Sequence, residues 1–260
     1  MSAGKFLVGY VKGWAASAYL FTAGVARPKD RAFIHRIGEH VFGAPEPPEL
    51  LVPALPIAPI KDIVQGVRVE IADPISVDGN TTTLEQYVFA ALVERHRPKT
   101  LFEIGTFDGR TTLNLAVSAG PEARLSTLDL PPQQLAETKL DVHPEDVKYI
   151  DKKESGARFK GTPQEKQIEQ LWGDSATFDF TPYAGTIDLM FIDGSHAYDY
   201  VLNDSERAWG MTHPGSVILW HDYANWDDVT RALDHLRRTD ARFSSLRRIE
   251  GTSLGYMVRQ

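Results

Sequence analysis

From residue 82 onward, short apolar runs alternate with stretches in which apolar residues return every three or four positions. Leu84, Val88, Ala91 and Leu92 share one helical face ahead of Pro98, so the spacing predicts a helix over 84–96 that stops before the proline. Residues 100–105 (TLFEIG) read as a buried strand, 111–118 as a helix and 124–130 (RLSTLDL) as a second strand. Residues 131–170 are polar and irregular, with some helix expected. Beyond them, 187–193 (IDLMFID) is a strong strand, 198–211 a helix, 216–222 (SVILWHD) a strand and 227–238 a helix. Residues 245–250 and 254–258 alternate as two last strands around a turn that holds Gly251.

This alternation implies an α/β body: a mostly parallel sheet with helices on both faces. The last two strands have almost nothing between them. A parallel crossover needs about a dozen residues, so these two pair antiparallel as a hairpin. Ligands of such sheets sit at the carboxyl ends of the strands. Ahead of the body, residues 6–25 are apolar but broken by Lys12 and thinned by Gly9, Gly13 and Gly24. Neither a signal peptide nor a transmembrane span has that pattern. The reading is an N-terminal helical arm, 1–44, packed as an amphipathic helix on the body or on a second subunit, with membrane-surface contact as the alternative. Six of the sixteen prolines, Pro45, Pro47, Pro48, Pro53, Pro56 and Pro59, make 45–81 an extended Pro-rich connector to a body over 82–260.

Composition narrows the function classes. With 260 residues and 42% hydrophobic positions, the chain can bury one sizeable core. A formal net charge of −7 repels phosphate backbones, which argues against nucleic acid as a partner. There is no cysteine, so disulfides, thiolate metal sites and a cysteine nucleophile are excluded, in keeping with a reducing cytoplasm. The apolar arm favours a homo-oligomer over a monomer.

Candidate chemistry gathers at the strand ends. The first strand runs into Glu103-Ile104-Gly105-Thr106-Phe107-Asp108-Gly109-Arg110-Thr111, an ExGxxxG pattern. Two glycines four apart let the backbone turn sharply and approach a ligand closely, and the leading acid suits a cationic group. The third glycine of a dinucleotide fingerprint is missing. Asp129-Leu130 closes the second strand 26 residues after Glu103, about one strand–helix–strand unit, where an acid can accept both ribose hydroxyl protons. Gly173-Asp174-Ser175 forms a polar turn that could bond an adenine edge. Asp193 ends the next apolar strand, His196 follows it by three, and His221-Asp222 ends the strand after that. Asp193, His221 and Asp222 would converge on one divalent cation, with His196 beside it as a base that titrates near neutrality. The other histidines, His35, His40, His96, His143, His213 and His235, read as solvated or structural, and Trp209 and Trp226 as packing.

Taken together, these residues resemble the class I S-adenosylmethionine-dependent methyltransferases. The resemblance is closest to the bacterial branch of macrocin-type O-methyltransferases and cephalosporin-hydroxylase-like proteins. It spans about residues 82–259, and FIDGSHAYDYVLNDSERAW followed by SVILWHDY is its most specific piece. The stretch from Gly156-Ala157-Arg158-Phe159 to Gly173-Asp174-Ser175 also looks like this branch. The resemblance implies a Rossmann-like methyltransferase fold, a mostly parallel seven-stranded sheet with an antiparallel C-terminal hairpin strand. It implies that Glu103, Gly105 and Gly109 line the methionine part of S-adenosylmethionine, with Thr106, Phe107 and Thr111 nearby. Asp129 and Leu130 would hold the ribose, and Asp174 and Ser175 the adenine. Asp193 would lie near the methionine end and join His221 and Asp222 around a divalent ion such as magnesium or manganese. His196 takes the position of the catalytic base. Related sugar enzymes usually carry an acid in place of His221, and imidazole suits a softer ion than magnesium.

The expected reaction is in-line methyl transfer to a hydroxyl of a small molecule or sugar. The ion would lower the hydroxyl pKa, His196 would take the proton, and the polar insertion 141–166 would serve as a lid. Two alternatives come from other classes: a nicotinamide-dependent oxidoreductase on a similar sheet, and a cofactor-binding subunit without its own chemistry.

Overall fold

In the computed structural model, which describes residues 3–27, 30–31, 33–34 and 51–260, the chain forms two units, Met1–Leu50 and Leu51–Gln260. The first holds helix α1 (Ala3–Leu20) and a 3-10 turn over Ala23–Ala26. His35 and His40 lie outside the described residues, as do Pro45, Pro47 and Pro48 and the rest of the expected arm and connector up to residue 50. Among the described residues, no helix is long and apolar enough to cross a membrane.

The second unit begins with strand β1 (Ile57–Ala58) and helix α2 (Ile60–Val64). Part of the stretch read as a connector is therefore built into the body. β1 pairs with the sheet edge, and Ile63 is buried. Helix α3 (Thr83–His96) starts where Thr82 and Glu85 form a capping box, each side chain bonding the other's backbone N–H. It ends at Arg97 in the left-handed region, ahead of Pro98, which cannot continue a helix. There follow β2 (Thr100–Ile104), α4 (Arg110–Ala119), β3 (Arg124–Asp129), the short helix α5 (Val147–Ile150), β4 (Ile168–Trp172) and β5 (Ile187–Ile192). The chain closes with α6 (Tyr198–Met211), β6 (Thr212–Trp220), α7 (Asp227–Thr239), β7 (Arg247–Ile249) and β8 (Gly255–Val258).

The strands join in one sheet, ordered β1-β7-β8-β6-β5-β2-β3-β4. Every pairing is parallel except those of β8, which runs antiparallel to both β6 and β7. The hairpin expected from the short turn is present, with β8 inserted between β6 and β7. The sheet has eight strands rather than seven because two-residue β1 extends its edge. β4 was not foreseen as a strand: Glu169 and Gln170 interrupt its apolar residues, as suits the opposite edge.

The central strands are buried on both faces, so alternate residues feed two cores. Phe102, Met190, Ile218 and Trp220 pack with Val201, Leu233 and Phe243 on the α6–α7 side. Leu101, Phe191, Leu219 and Val217 pack with Phe89, Leu92 and Leu115 on the α3–α4 side. Phe89 and Phe191 meet edge to face, with ring centroids 4.7 Å apart. Phe191 is fully buried two residues before Asp193. Phe191→Ala should cost about 3–5 kcal/mol of stability in denaturant unfolding. A cost near that of a surface substitution would show that this face is not tightly packed.

Candidate active site

Three backbone crossings build the carboxyl edge of the sheet. Gly105 N–H donates to the Leu128 carbonyl, Asp193 N–H to Ile104, and His221 N–H to Ile192, so the chain leaves β2, β5 and β6 side by side. At Gly105, φ is +96°, and an added Cβ would lie 1.9 Å from the Asp193 carbonyl oxygen. Only glycine fits there, for conformation and for space alike. Gly109, at φ +84°, is held as closely, since a Cβ would press on Phe159 and Gly156.

The glycine turn is clamped from the insertion. Gly156 N–H and Arg158 N–H donate to the carbonyls of Phe107 and Asp108. The Arg158 guanidinium pairs with Asp108 at 2.7 Å and with Asp73 at 2.6 Å. The Gly-Ala-Arg-Phe stretch thus fixes the shape of the turn after β2.

Around these crossings lies a cleft of about 310 Å³. Gly105, Phe107, Asp129, Leu130, Asp174, Ser175, Asp193, His196, His221 and Asp222 all line it. Glu103, Thr106, Gly109 and Thr111 do not. Thr106 bonds Thr127 through their hydroxyls at 2.7 Å. Thr111 meets Thr81 and Gln86 under α3. Glu103 is buried behind the glycine turn. Its Oε2 accepts from Thr112 and Thr127, and its Oε1 has no partner among the described residues. Burial outweighs the threonine donors and pushes its pKa up to about 8.

Asp129 at the end of β3 accepts from the Ser155 hydroxyl and pairs with Lys152 at 2.7 Å. Asp174 accepts from Lys139 N–H, Ala176 N–H and the Tyr200 hydroxyl, at 2.8–2.9 Å. Both carboxylates therefore stand at the cleft in fixed orientations. The cradle suits a nucleoside bearing an amino-acid tail: a close backbone turn at one end and a buried ribose-height carboxylate in the middle.

The other side of the cleft is a chain of acids and imidazoles. His196 Nδ1 bonds Asp146, and His196 Nε2 lies 2.9 Å from Asp222 Oδ2. The same Asp222 oxygen is 3.0 Å from His221 Nδ1, which also faces Asp193 at 3.1 Å. His221 Nε2 looks the other way, 3.4 Å from Glu85. Burial alone would lower the His196 pKa, but Asp146 and Asp222 outweigh it and raise it to about 9. His221 is buried yet also pushed well up by Asp193, Asp222 and Glu85. Against the same burial effect, His221 and the Thr82 and Ser253 donors hold Glu85 at about 2, and the two imidazoles hold Asp222 below the usual carboxylate range. The surrounding carboxylates thus make both rings more basic than a free imidazole. Asp222 itself sits at φ +62°, a left-handed conformation that costs roughly 1 kcal/mol or more for a non-glycine residue.

The sequence had grouped Asp193, His221 and Asp222 as metal ligands. Donor atoms of Asp193, His196 and Asp222 come within 4.8 Å of one another, and His221 Nδ1 lies 3.1 Å from Asp193 and 3.0 Å from Asp222. Trp226 packs against the α6–α7 core, as read, and also stacks on His196 at 4.0 Å and lines the cleft, with His143 against its edge. Glu85 and Asp146 were not foreseen. Thr82-x-x-Glu85 carries the capping-box signature, which marks a helix start and not a site. Asp146 lies in the polar insertion, whose sequence has no period to place it. The insertion supplies Val142, Asp146, Tyr149, Ile150 and Lys152 to the cleft wall.

A parallel sheet with one inserted antiparallel strand, and a ligand cleft at its carboxyl edge, defines the class I S-adenosylmethionine-dependent methyltransferase fold. Residues 102–223 match a family model described as a methyltransferase domain. No curated protein matches the chain. Among solved structures it is similar to the S-adenosylhomocysteine-bound methyltransferase PaMTH1 of Podospora anserina, at 15% identity and a TM-score of 0.53, over 70% of this chain and 81% of that one. It is also similar to the O-methyltransferase TomG of Streptomyces achromogenes, solved with S-adenosylmethionine and involved in tomaymycin synthesis. There the identity is 18% and the TM-score 0.50, over 70% of this chain and 83% of that one.

The raised pKa of Glu103 has a consequence for stability. The folded protein holds a proton that the unfolded chain has released at any pH between the ordinary carboxylate range and about 8. This group therefore subtracts stability as pH rises through that window, by up to about 1.4 kcal/mol per unit. In Glu103→Gln the amide oxygen can still take both threonine hydroxyls, and no proton is exchanged. The variant should gain stability relative to the parent as melting is followed from about pH 5 to about pH 8.5. A gap that stays constant with pH would mean that Glu103 is already ionised in the folded protein.

Proposed function

We propose that this chain methylates a hydroxyl oxygen of a small molecule or sugar, with His196 as the proton acceptor. The observation that supports this reading best is the presence of His196, Asp193 and Asp222 in the same cleft as Gly105, Asp129 and Asp174. S-adenosylmethionine, when bound, supplies an electrophilic methyl carbon, so the protein has to align the acceptor and remove one proton. Asp129 accepts the ribose hydroxyls, and Asp174 and Ser175 flank the adenine. The close turn at Gly105 brings the backbone against the amino-acid tail. His196 is gripped by Asp146 and Asp222 and stacked on Trp226, which fixes the ring before an acceptor arrives. The absence of cysteine fits work in a reducing compartment such as the cytoplasm.

The donor set also fits a divalent cation. Two carboxylates and an imidazole suit manganese or a similar ion at least as well as magnesium. Held by Asp193 and Asp222, such an ion would add positive charge beside the acceptor hydroxyl and favour its ionisation. His221, turned to carboxylates at both nitrogens, braces that pair. A second reading comes from the same distances: His196 joins Asp193 and Asp222 as a third ligand, and another group removes the proton.

Calorimetric titration with S-adenosylhomocysteine tests the cofactor half of the proposal. Binding should be micromolar and should weaken roughly tenfold or more in Asp129→Ala, the size expected for charged hydrogen bonds. Absence of binding with and without manganese would sink this half. For the acceptor half, release of S-adenosylhomocysteine would be followed across a panel of phenols and sugars. His196→Ala should lose about 10²–10⁴-fold in turnover and retain cofactor affinity. Unchanged turnover removes the base. Manganese affinity separates the two readings of His196, since it survives the substitution if His196 is the base and falls if His196 is a ligand. Full activity after exhaustive chelation would remove the ion.

A further inference from the structure

Helix α1 carries an apolar stripe that is exposed among the described residues. Leu7, Val11, Trp14 and Ala18 recur at spacings of four, three and four, the period of one helical stripe. Leu7 is 62% exposed, Val11 57% and Trp14 70%, and among the described residues of this unit only Gly24 is buried. Exposed apolar faces of this kind mark surfaces that are covered by something else. Lys12 sits on the far side of the helix from the stripe.

Charge identifies the cover. Residues 1–29 contain Lys5, Lys12, Arg27 and Lys29 and no aspartate or glutamate, although the whole chain has a formal net charge of −7. An anionic bilayer brings the opposite charge and an apolar interior together. Trp14 and Tyr19 are residues that favour the headgroup boundary, where one end of the ring is apolar and the other wet. Eighteen residues span only about 27 Å, and Lys12 falls mid-helix, so the helix is too short and too charged to cross.

We infer that α1 is an in-plane membrane anchor, which lays its Leu7–Val11–Trp14–Ala18 face into the surface of an anionic bilayer with Lys12 toward the headgroups. The anchor holds the methyltransferase unit at that surface and is independent of which acceptor is methylated.

Flotation of the full chain with unilamellar vesicles tests this. The protein should float with vesicles rich in phosphatidylglycerol and not with phosphatidylcholine alone, and salt should release it. Leu7→Glu combined with Trp14→Glu should cut the bound fraction at least roughly tenfold. Lys12→Glu should cut it roughly fivefold or more, because a charge is inverted near the surface. Calorimetry with S-adenosylhomocysteine on each variant checks that the second unit is still folded. If the double variant fails that check, Lys12→Glu alone decides. Failure to float with anionic vesicles, or flotation indifferent to these substitutions, overturns the inference. So does a lipid-free dimer in sedimentation velocity that Trp14→Glu splits, since a second copy would then be the cover.

Discussion

The site is held together by a closed chain of opposite charges: Asp146, His196, Asp222, His221 and then Glu85 on one side and Asp193 on the other. None of these groups could be buried alone, because an isolated charge in a low-dielectric interior is far more costly than any single contact repays. Paired in sequence, each carboxylate meets an imidazole. The network draws on separate parts of the fold. Glu85 comes from the first turn of α3, Asp193 and His196 from the loop after β5, His221 and Asp222 from the end of β6, and Asp146 from the insertion. Removing one member leaves each of its neighbours with one partner fewer at a buried position.

Two backbone constraints give that network its position. The Gly105 crossing sets β2 against β5 at a distance no side chain could tolerate, which aligns the cofactor turn with Asp193. At the end of β6 the left-handed Asp222 turns the chain so that one of its oxygens meets both imidazoles. Strain of this sort persists only where the surroundings over-determine it. Here the bonds from Asn225 N–H and Trp226 N–H to the Asp222 carbonyl do so, and they also bring the Trp226 ring onto His196.

How much was legible in the sequence depended on whether a residue is placed by local pattern or by distant contact. The central strands are apolar runs, so β2, β3, β5 and β6 and the residues at their carboxyl ends could be read directly. Gly105, Asp129, Asp193, His196, His221 and Asp222 all line one cleft for that reason. The grouping within the cleft was not legible. His221 Nδ1 lies 3.1 Å from Asp193 and 3.0 Å from Asp222, while the carboxylates behind the rings, Asp146 and Glu85, come from 50 and 136 residues away. The edge strands were missed because they need little apolar sequence. β1 is two residues long, and in β4 the adjacent Glu169 and Gln170 break the apolar run. Trp226 read as packing because a tryptophan beside a helix start has no signal that separates a core ring from one stacked on a cleft histidine.

The cleft therefore has two walls of different physical origin. One is the sheet edge, where Gly105, Asp129 and Asp193 occupy positions fixed by strand register and by backbone crossings that admit few substitutions. The other is made of loops: Asp78–Asn80 ahead of α3, Tyr149 and Lys152 in the insertion, and Asn225 and Trp226 before α7. Loop residues are free to vary so long as the turns that carry them survive. The charged chain links the walls, because Asp146 belongs to the loops and Asp222 to the sheet, and His196 bonds both. Any movement of the insertion is thus felt at the imidazole, which would lose one of the two carboxylates that hold its proton.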